Sequence, residues 1–154
     1  MSNFKKIIEV LNDLIKINKD REEGYVKAGR ELTPAEHNLR GIFERKAQES
    51  RNNVMQLQYK AEEIGANAGE ETEVAEDGSF TGALYKAWTD LKSLFTGNDE
   101  HSILASCESG EKAAQECYRH ALEEPELPED ITHIIKAQKQ SIDASHEEIK
   151  NLLN

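Results

Sequence analysis

Four long stretches of this chain repeat apolar residues every three or four positions, and no stretch alternates apolar with polar residues. The first period belongs to amphipathic helices and the second to half-buried strands, so this chain must bury its apolar side chains helix against helix. The first stripe runs through Phe4, Ile7, Ile8, Leu11, Leu14 and Ile15 to Tyr25, Val26 and Leu32, which predicts a helix from about Asn3 to Leu32. The second opens at Thr33-Pro34-Ala35-Glu36. A capping Thr, a Pro in the first turn and a Glu three residues on form a strong helix start. Its stripe is Leu39, Ile42, Phe43, Ala47, Val54, Leu57, Ala61 and Ile64, and the glycines at 65 and 69 are expected to end it. The third is expected over Asp99 to Glu123, with Asn98 as cap and Ile103, Leu104, Cys107, Ala114, Tyr118 and Leu122 on its stripe. The fourth is expected over Glu129 to Leu153, on Ile131, Ile134, Ile135, Ile142, Ile149 and Leu152. The three prolines, at 34, 125 and 128, all fall at the borders of these helices.

The first two helices, and the last two, are joined by short connections, so each pair forms an antiparallel hairpin. A long connection separates the pairs. The expected fold is therefore all-α: a ferritin-like four-helix bundle with a long crossover between its second and third helices. The crossover begins with an acidic stretch, EETEVAEDGS, and continues into Phe80, Leu84, Trp88, Leu91 and Phe95 at helical spacing. This short extra helix either covers apolar surface of the bundle or docks a partner through those five residues. With no internal repeat and no linker, residues 1–154 read as a single domain.

The charge balance excludes several classes. The 154 residues carry 30 acidic and 19 basic side chains, a formal net charge of -11. Such a field repels nucleic acid and anionic lipid. No run approaches the 18 or so apolar residues of a membrane span. The opening MSNFKKIIEVLNDLIKINKD is too interrupted by charge for a secretory leader. Cys107 and Cys117 would lie about 15 Å apart on one helix, too far for a disulfide. Two free thiols fit a cytoplasmic setting and small core filler. No phosphate-binding glycine loop and no nucleophile motif is present.

The informative residues are those that interrupt a stripe. At about 100° per residue, Asn18 and Glu22 fall on the apolar face of the first helix. Ser50 falls on that of the second, with Lys46 and Asn53 nearer its edge, and Glu111 on that of the third, with Glu108 at its margin. Gln138 and Ser145 fall on that of the fourth. All lie near mid-helix, where the members of an antiparallel bundle meet at one height, so a polar layer is expected to cross the core. Buried carboxylates need a partner or a metal. A di-iron bundle takes a Glu from each of two helices and a Glu-x-x-His from each of the other two. The second helix has no Glu-x-x-His, and the fourth offers only Asp143-Ala-Ser-His146, whose Asp143 points away from the stripe. The favoured expectation is a structural network in which Glu22 and Glu111 bond to Lys46, Asn18, Asn53 and Gln138.

Four blocks together resemble a known family: VLNDLI in the first helix, Glu23-Gly24-Tyr25, GALYKAWTDLKSLFTG in the crossover and CESGEKAAQECYRHAL in the third helix. Over about residues 5 to 150 the chain is similar to an uncharacterised bacterial domain-of-unknown-function family of ferritin-like four-helix-bundle proteins. The resemblance implies a ferritin-like fold and no established activity. It also implies Glu23, rather than Glu22, as the acidic residue of the first helix, and it includes Glu108 and Glu111.

The reading of function that follows is a non-enzymatic bundle, with a role in stress as one setting, acting by self-association or by binding a protein partner. No cofactor is expected. The alternative is a divergent ferritin-like metal-binding protein or oxidoreductase, holding iron or another divalent metal on an incomplete site drawn from Glu22, Glu23, Glu108, Glu111 and His146.

Overall fold

The computed structural model describes residues 2–33, 36–68, 83–92 and 99–154. Regular structure among them is entirely helical: α1 (Ser2–Glu31), α2 (His37–Ala68), α3 (Ala83–Lys92), α4 (Glu100–Leu122) and α5 (Glu129–Leu153). The boundaries follow local chemistry. Ahead of α2, Glu36 reaches back so that its Oε1 accepts from the Thr33 amide at 2.9 Å and from the Thr33 hydroxyl at 2.6 Å. This is the glutamate half of a capping box, and these bonds hold the Glu36 carboxyl below its ordinary range. The cap of α4 is Asp99 rather than the expected Asn98, which lies outside the described residues; Asp99 Oδ1 accepts from the Ser102 amide at 2.7 Å. An ionised cap also suits the positive end of the helix dipole. At its other end α2 passes through Gly65, which is buried, and reaches Ala68 instead of stopping near Ile64.

Side-chain bonds fix the direction of each helix against its neighbours. Asn18 meets Asn53 and Arg40 meets Gly29, so α1 and α2 are antiparallel. Tyr118 meets Gln138 and Gln115 meets Asp143, so α4 and α5 are antiparallel. Asn18 also meets Tyr118 while Arg21 meets Glu111, and Lys60 meets Asp130 while Lys46 meets Glu148. The four long helices thus run up, down, down and up in chain order, with α1 and α5 on one diagonal of the bundle and α2 and α4 on the other. Between them Leu11, Leu14, Ile15, Phe43, Leu57, Ile135 and Ile142 lose all contact with solvent.

The short α3 lies outside this square, packed on α1 and α4. Its Trp88 is fully buried, and the indole rests on two glycines. A Cβ at Gly24 would sit 2.5 Å from Trp88 Cε3, and one at Gly110 would sit 2.6 Å from Cε2. Both distances are shorter than real Cβ contacts allow, so a large side chain on α3 is matched by absent side chains on α1 and α4. Tyr25 completes the seat, its ring centroid 5.3 Å from that of Trp88. No helix among the described residues is long and apolar enough to cross a membrane.

Cys107 and Cys117 are both free and fully buried. Burial is the main cause pushing both thiols well above their ordinary range, so the reactive thiolate is scarce at neutral pH. Ellman's reagent at pH 8 is therefore expected to leave the native protein almost unmodified. Both thiols should react at once when urea unfolds it; rapid labelling of either thiol in the folded state would contradict this burial.

Candidate functional site: a buried polar core

Two polar layers cross the bundle, one helical turn apart. In the first, every link has a direction. Asn53 Nδ2 on α2 donates to Asn18 Oδ1 on α1 at 3.1 Å. Asn18 Nδ2 donates to the Tyr118 hydroxyl on α4 at 2.8 Å, and that hydroxyl donates to Gln138 Oε1 on α5 at 2.6 Å. Gln138 Nε2 then donates to Gln56 Oε1, back on α2, at 2.8 Å. Asn18 and Gln138 each accept with the amide oxygen and donate with the amide nitrogen, in the same sense along the chain of bonds from Asn53 to Gln56, so four helices are tied in one belt. Tyr118→Phe removes the hydroxyl that both accepts and donates here. The expected loss is about 1–3 kcal/mol of unfolding free energy, read by urea denaturation.

The second layer is centred on Arg21, fully buried on α1. Its Nε and Nη2 grip Glu111 of α4 in a two-bond fork, to Oε1 at 2.8 Å and Oε2 at 3.0 Å. The second Nη2 donor reaches Ser145 Oγ on α5 at 3.0 Å, and Nη1 reaches Ser50 Oγ at 2.8 Å and the Lys46 carbonyl at 3.3 Å on α2. Glu49 Oε1 adds a second carboxylate 2.9 Å from Nη1. All five guanidinium donors are thus used, in the planar geometry that favours Arg over Lys for a carboxylate fork. Glu111 is equally occupied. Its Oε2 also accepts from the Tyr25 hydroxyl at 2.6 Å and from Ser145 Oγ. Lys46 Nζ closes the layer, donating to Ser145 Oγ at 2.8 Å and to Glu148 Oε1 at 2.6 Å near the surface.

Burial alone would push the Glu111 carboxyl up, but Arg21 beside it, with the Ser145 and Tyr25 hydroxyls, holds it below the ordinary carboxylate range. Burial likewise opposes the charge on Arg21, and Glu111 outweighs it, so Arg21 stays protonated. Burial, then Glu111, pushes the Tyr25 phenol well up. The sign for stability follows from the depressed Glu111 value. Its contribution is present above the unfolded carboxyl value of about 4.3 and is lost as pH falls through the lower folded value. Thermal stability should therefore fall in acid below about pH 4, and this part of the fall should be missing in Glu111→Gln.

The expected polar residues Asn18, Lys46, Ser50, Asn53, Glu111, Gln138 and Ser145 are all buried in these layers. Glu22 is the exception and needs correction. It lies at the rim of α1, half-exposed, with Oε2 accepting from Arg51 Nε at 2.7 Å. Glu23 points outward. The residue of this turn that enters the core is Arg21, absent from the sequence reading. Glu108 and His146 do meet, His146 Nε2 lying 3.4 Å from Glu108 Oε2, with Lys112 Nζ at 3.9 Å from the same oxygen. Among the described residues no three His, Cys, Asp or Glu side chains converge on one point. Glu22, Glu23, Glu108, Glu111 and His146 are therefore spread over a rim, an outer face, an interhelical edge and the core.

The five residues of the crossover stripe divide as well. Trp88 and Leu91 are fully buried against the bundle, so their surface is used within the chain. Leu84 falls in α3, and Phe80 and Phe95 lie outside the described residues. A groove of about 570 Å³ lies between α1 and α2, over Tyr25, Val26 and Ala47. Two of its arginines already bond the chain: Arg40 to the carbonyls of Gly29 and Leu32, and Arg51 to Glu22 and Gln48.

A family model described as "Domain of unknown function (DUF2383)" matches residues 6–124. The chain belongs to this family. The matched segment contains Arg21, Glu111, Tyr25 and Tyr118, and also Trp88 with its two glycines. Thus both the ion pair and the seat of α3 lie inside the DUF2383 match, whereas Gln138 and Ser145 on α5 complete the two layers from beyond it. No curated protein matches the chain.

Proposed function

We propose that this DUF2383 protein is a ferritin-like bundle that works without catalysis, by self-association or by binding a protein partner, and that its central polar layers serve the fold. The up-down-down-up course of the four long helices supports the ferritin-like reading, since a bundle with one long crossover runs this way. One observation carries the rest. The guanidinium of Arg21 occupies the centre of the bundle, and every oxygen of Glu111 is bonded to Arg21, Tyr25 or Ser145. A cation bound by Glu111 would have to displace a buried, fully bonded Arg and leave that charge with Glu49 as its one remaining carboxylate. Both oxygens of Glu111 and all five donors of Arg21 are thus used within the bundle, which favours a role for the surface.

The test is metal content of untagged protein, followed by titration of iron, manganese and zinc against thermal stability. No metal and no rise in melting temperature supports the proposal. Near-stoichiometric metal that is lost in Glu111→Ala overturns it. The second reading, a divergent metal binder, rests on the meeting of Glu108 and His146 across α4 and α5. Two ligands are one fewer than the three protein ligands of a typical catalytic zinc site. Metal retained by Glu111→Gln but lost in Glu108→Gln would favour that reading.

A further inference from the structure

We propose that the chain pairs with a second copy of itself along the outer face of α2, antiparallel, about a two-fold axis between Asn52 and Met55. This deepens the self-association half of the reading above and rests on it. α2 carries two stripes on opposite sides. Phe43, Ala47, Ser50, Val54, Leu57 and Ala61 face the core and are buried. Arg45, Gln48, Asn52, Met55, Tyr59 and Glu62 face away from it, and all six are exposed. Their spacing alternates three and four without a break, so they form one row along the helix, with the apolar Met55 and Tyr59 inside it. Met55 is 65 % exposed and Tyr59 64 %, the most exposed large apolar side chains among the described residues.

Charge chooses the occupant and its direction. The seam has a cation at one end, Arg45, and an anion at the other, Glu62, with four uncharged side chains between. A second copy laid antiparallel sets Arg45 against Glu62 of the other copy at both ends. Gln48 then meets Tyr59 of the other copy, and Asn52 meets Met55. A parallel copy would set Arg45 on Arg45 and Glu62 on Glu62, and like charges in register repel. The chain as a whole carries -11, yet α2 holds five Lys and Arg against four Glu, so this helix repels a second copy less than the chain's average surface does. Arg45 is paired within its own chain only at the long distance of 4.0 Å to Glu148, and its side chain is 70 % exposed, so its guanidinium can also meet a carboxylate of the other copy. The seam is about 26 Å long and only two of its six side chains are apolar, which places the interface at the small end of the range. The expected dissociation constant is about 10–100 µM.

Sedimentation equilibrium of the full chain from about 5 to 500 µM tests this. Wild type should pass from monomer to dimer in that range. Arg45→Glu and Glu62→Arg should each weaken the dimer tenfold or more, and the double variant Arg45→Glu/Glu62→Arg should restore it. Tyr59→Glu should leave a monomer, and all four variants should melt near the wild-type temperature because these side chains touch no core. A dimer that neither single reversal weakens overturns the α2 interface while leaving self-association standing on another surface. Weakened single variants that the double does not restore overturn the antiparallel register. A monomer at every concentration overturns this interface and the self-association reading together.

Discussion

Glu111→Leu is expected to lower the unfolding free energy by about 3–5 kcal/mol. The loss is not the value of one bond. It is the cost of leaving the Arg21 guanidinium charged and fully buried without its two-bond fork, with Glu49 as its remaining carboxylate and the Tyr25 and Ser145 hydroxyls short of an acceptor. Arg21→Met should cost a similar amount from the other side, by leaving Glu111 a buried carboxylate with the Tyr25 and Ser145 hydroxyls but no cation in its fork. The double variant Arg21→Met/Glu111→Leu should be more stable than the sum of the two losses predicts, because both members of the central fork are gone together, although Glu49 still loses Arg21 as its ion-pair partner. The mismatch should be about 0.5–3 kcal/mol, the range found for residues that act as one unit. Recovery should stop short of wild type, since Ser50, Ser145 and Lys46 keep polar atoms that lose Arg21 as a partner. Urea unfolding of the four proteins, with unchanged slopes, measures the cycle. Strict additivity would mean that Arg21 and Glu111 do not act on each other, against the fork seen between them.

The same layer shows what a stripe reveals and what it hides. Asn18, Ser50, Glu111, Gln138 and Ser145 could be placed in the core from periodicity alone, because each breaks an apolar run at a helical interval. Arg21 could not. At about 100° per residue position 22 falls near the middle of the stripe and position 21 toward its edge, so the period alone selects Glu22. The missing signal was charge balance. A carboxylate predicted inside α4 needs a cation at its own height, and Arg21 and Lys46 were the bases within reach on facing helices. The long stem of Arg also lets its head sit deeper than a stripe angle suggests. α2 hid its second stripe for a related reason, since Gln48, Asn52 and Tyr59 read as a solvated face once the inward stripe is drawn. The helix order, the two hairpins and the whole extent of α5 were legible because long apolar periods and prolines mark them without help from tertiary contacts. The end of α2 was not, because Gly65 looks like a stop and the tertiary environment that buries it is not local.

The glycines of α1 and α4 give the clearest reversal of a local rule. Replacing a mid-helix glycine by alanine ordinarily stabilises by about 1 kcal/mol. Gly110→Ala should instead destabilise by about 1–3 kcal/mol, because the new methyl would meet the flat of the Trp88 indole at 2.6 Å and a rigid ring between two helices has little room to retreat. Gly24→Ala, 2.5 Å from the same indole, should behave alike. Trp88→Ala alone should cost about 3–5 kcal/mol by emptying the seat of α3. The decisive comparison is the combination. In a Trp88→Ala background the indole no longer opposes the methyl, so Gly110→Ala should change sign and become stabilising. Fluorescence of the single tryptophan supplies a second readout, since in Gly110→Ala its emission should shift to the red as the indole is pushed toward water. If Gly110→Ala costs the same with and without the indole, then the glycine serves the helix rather than α3. The match between Trp88 and its two glycines would then lose its role in fixing α3 to the bundle.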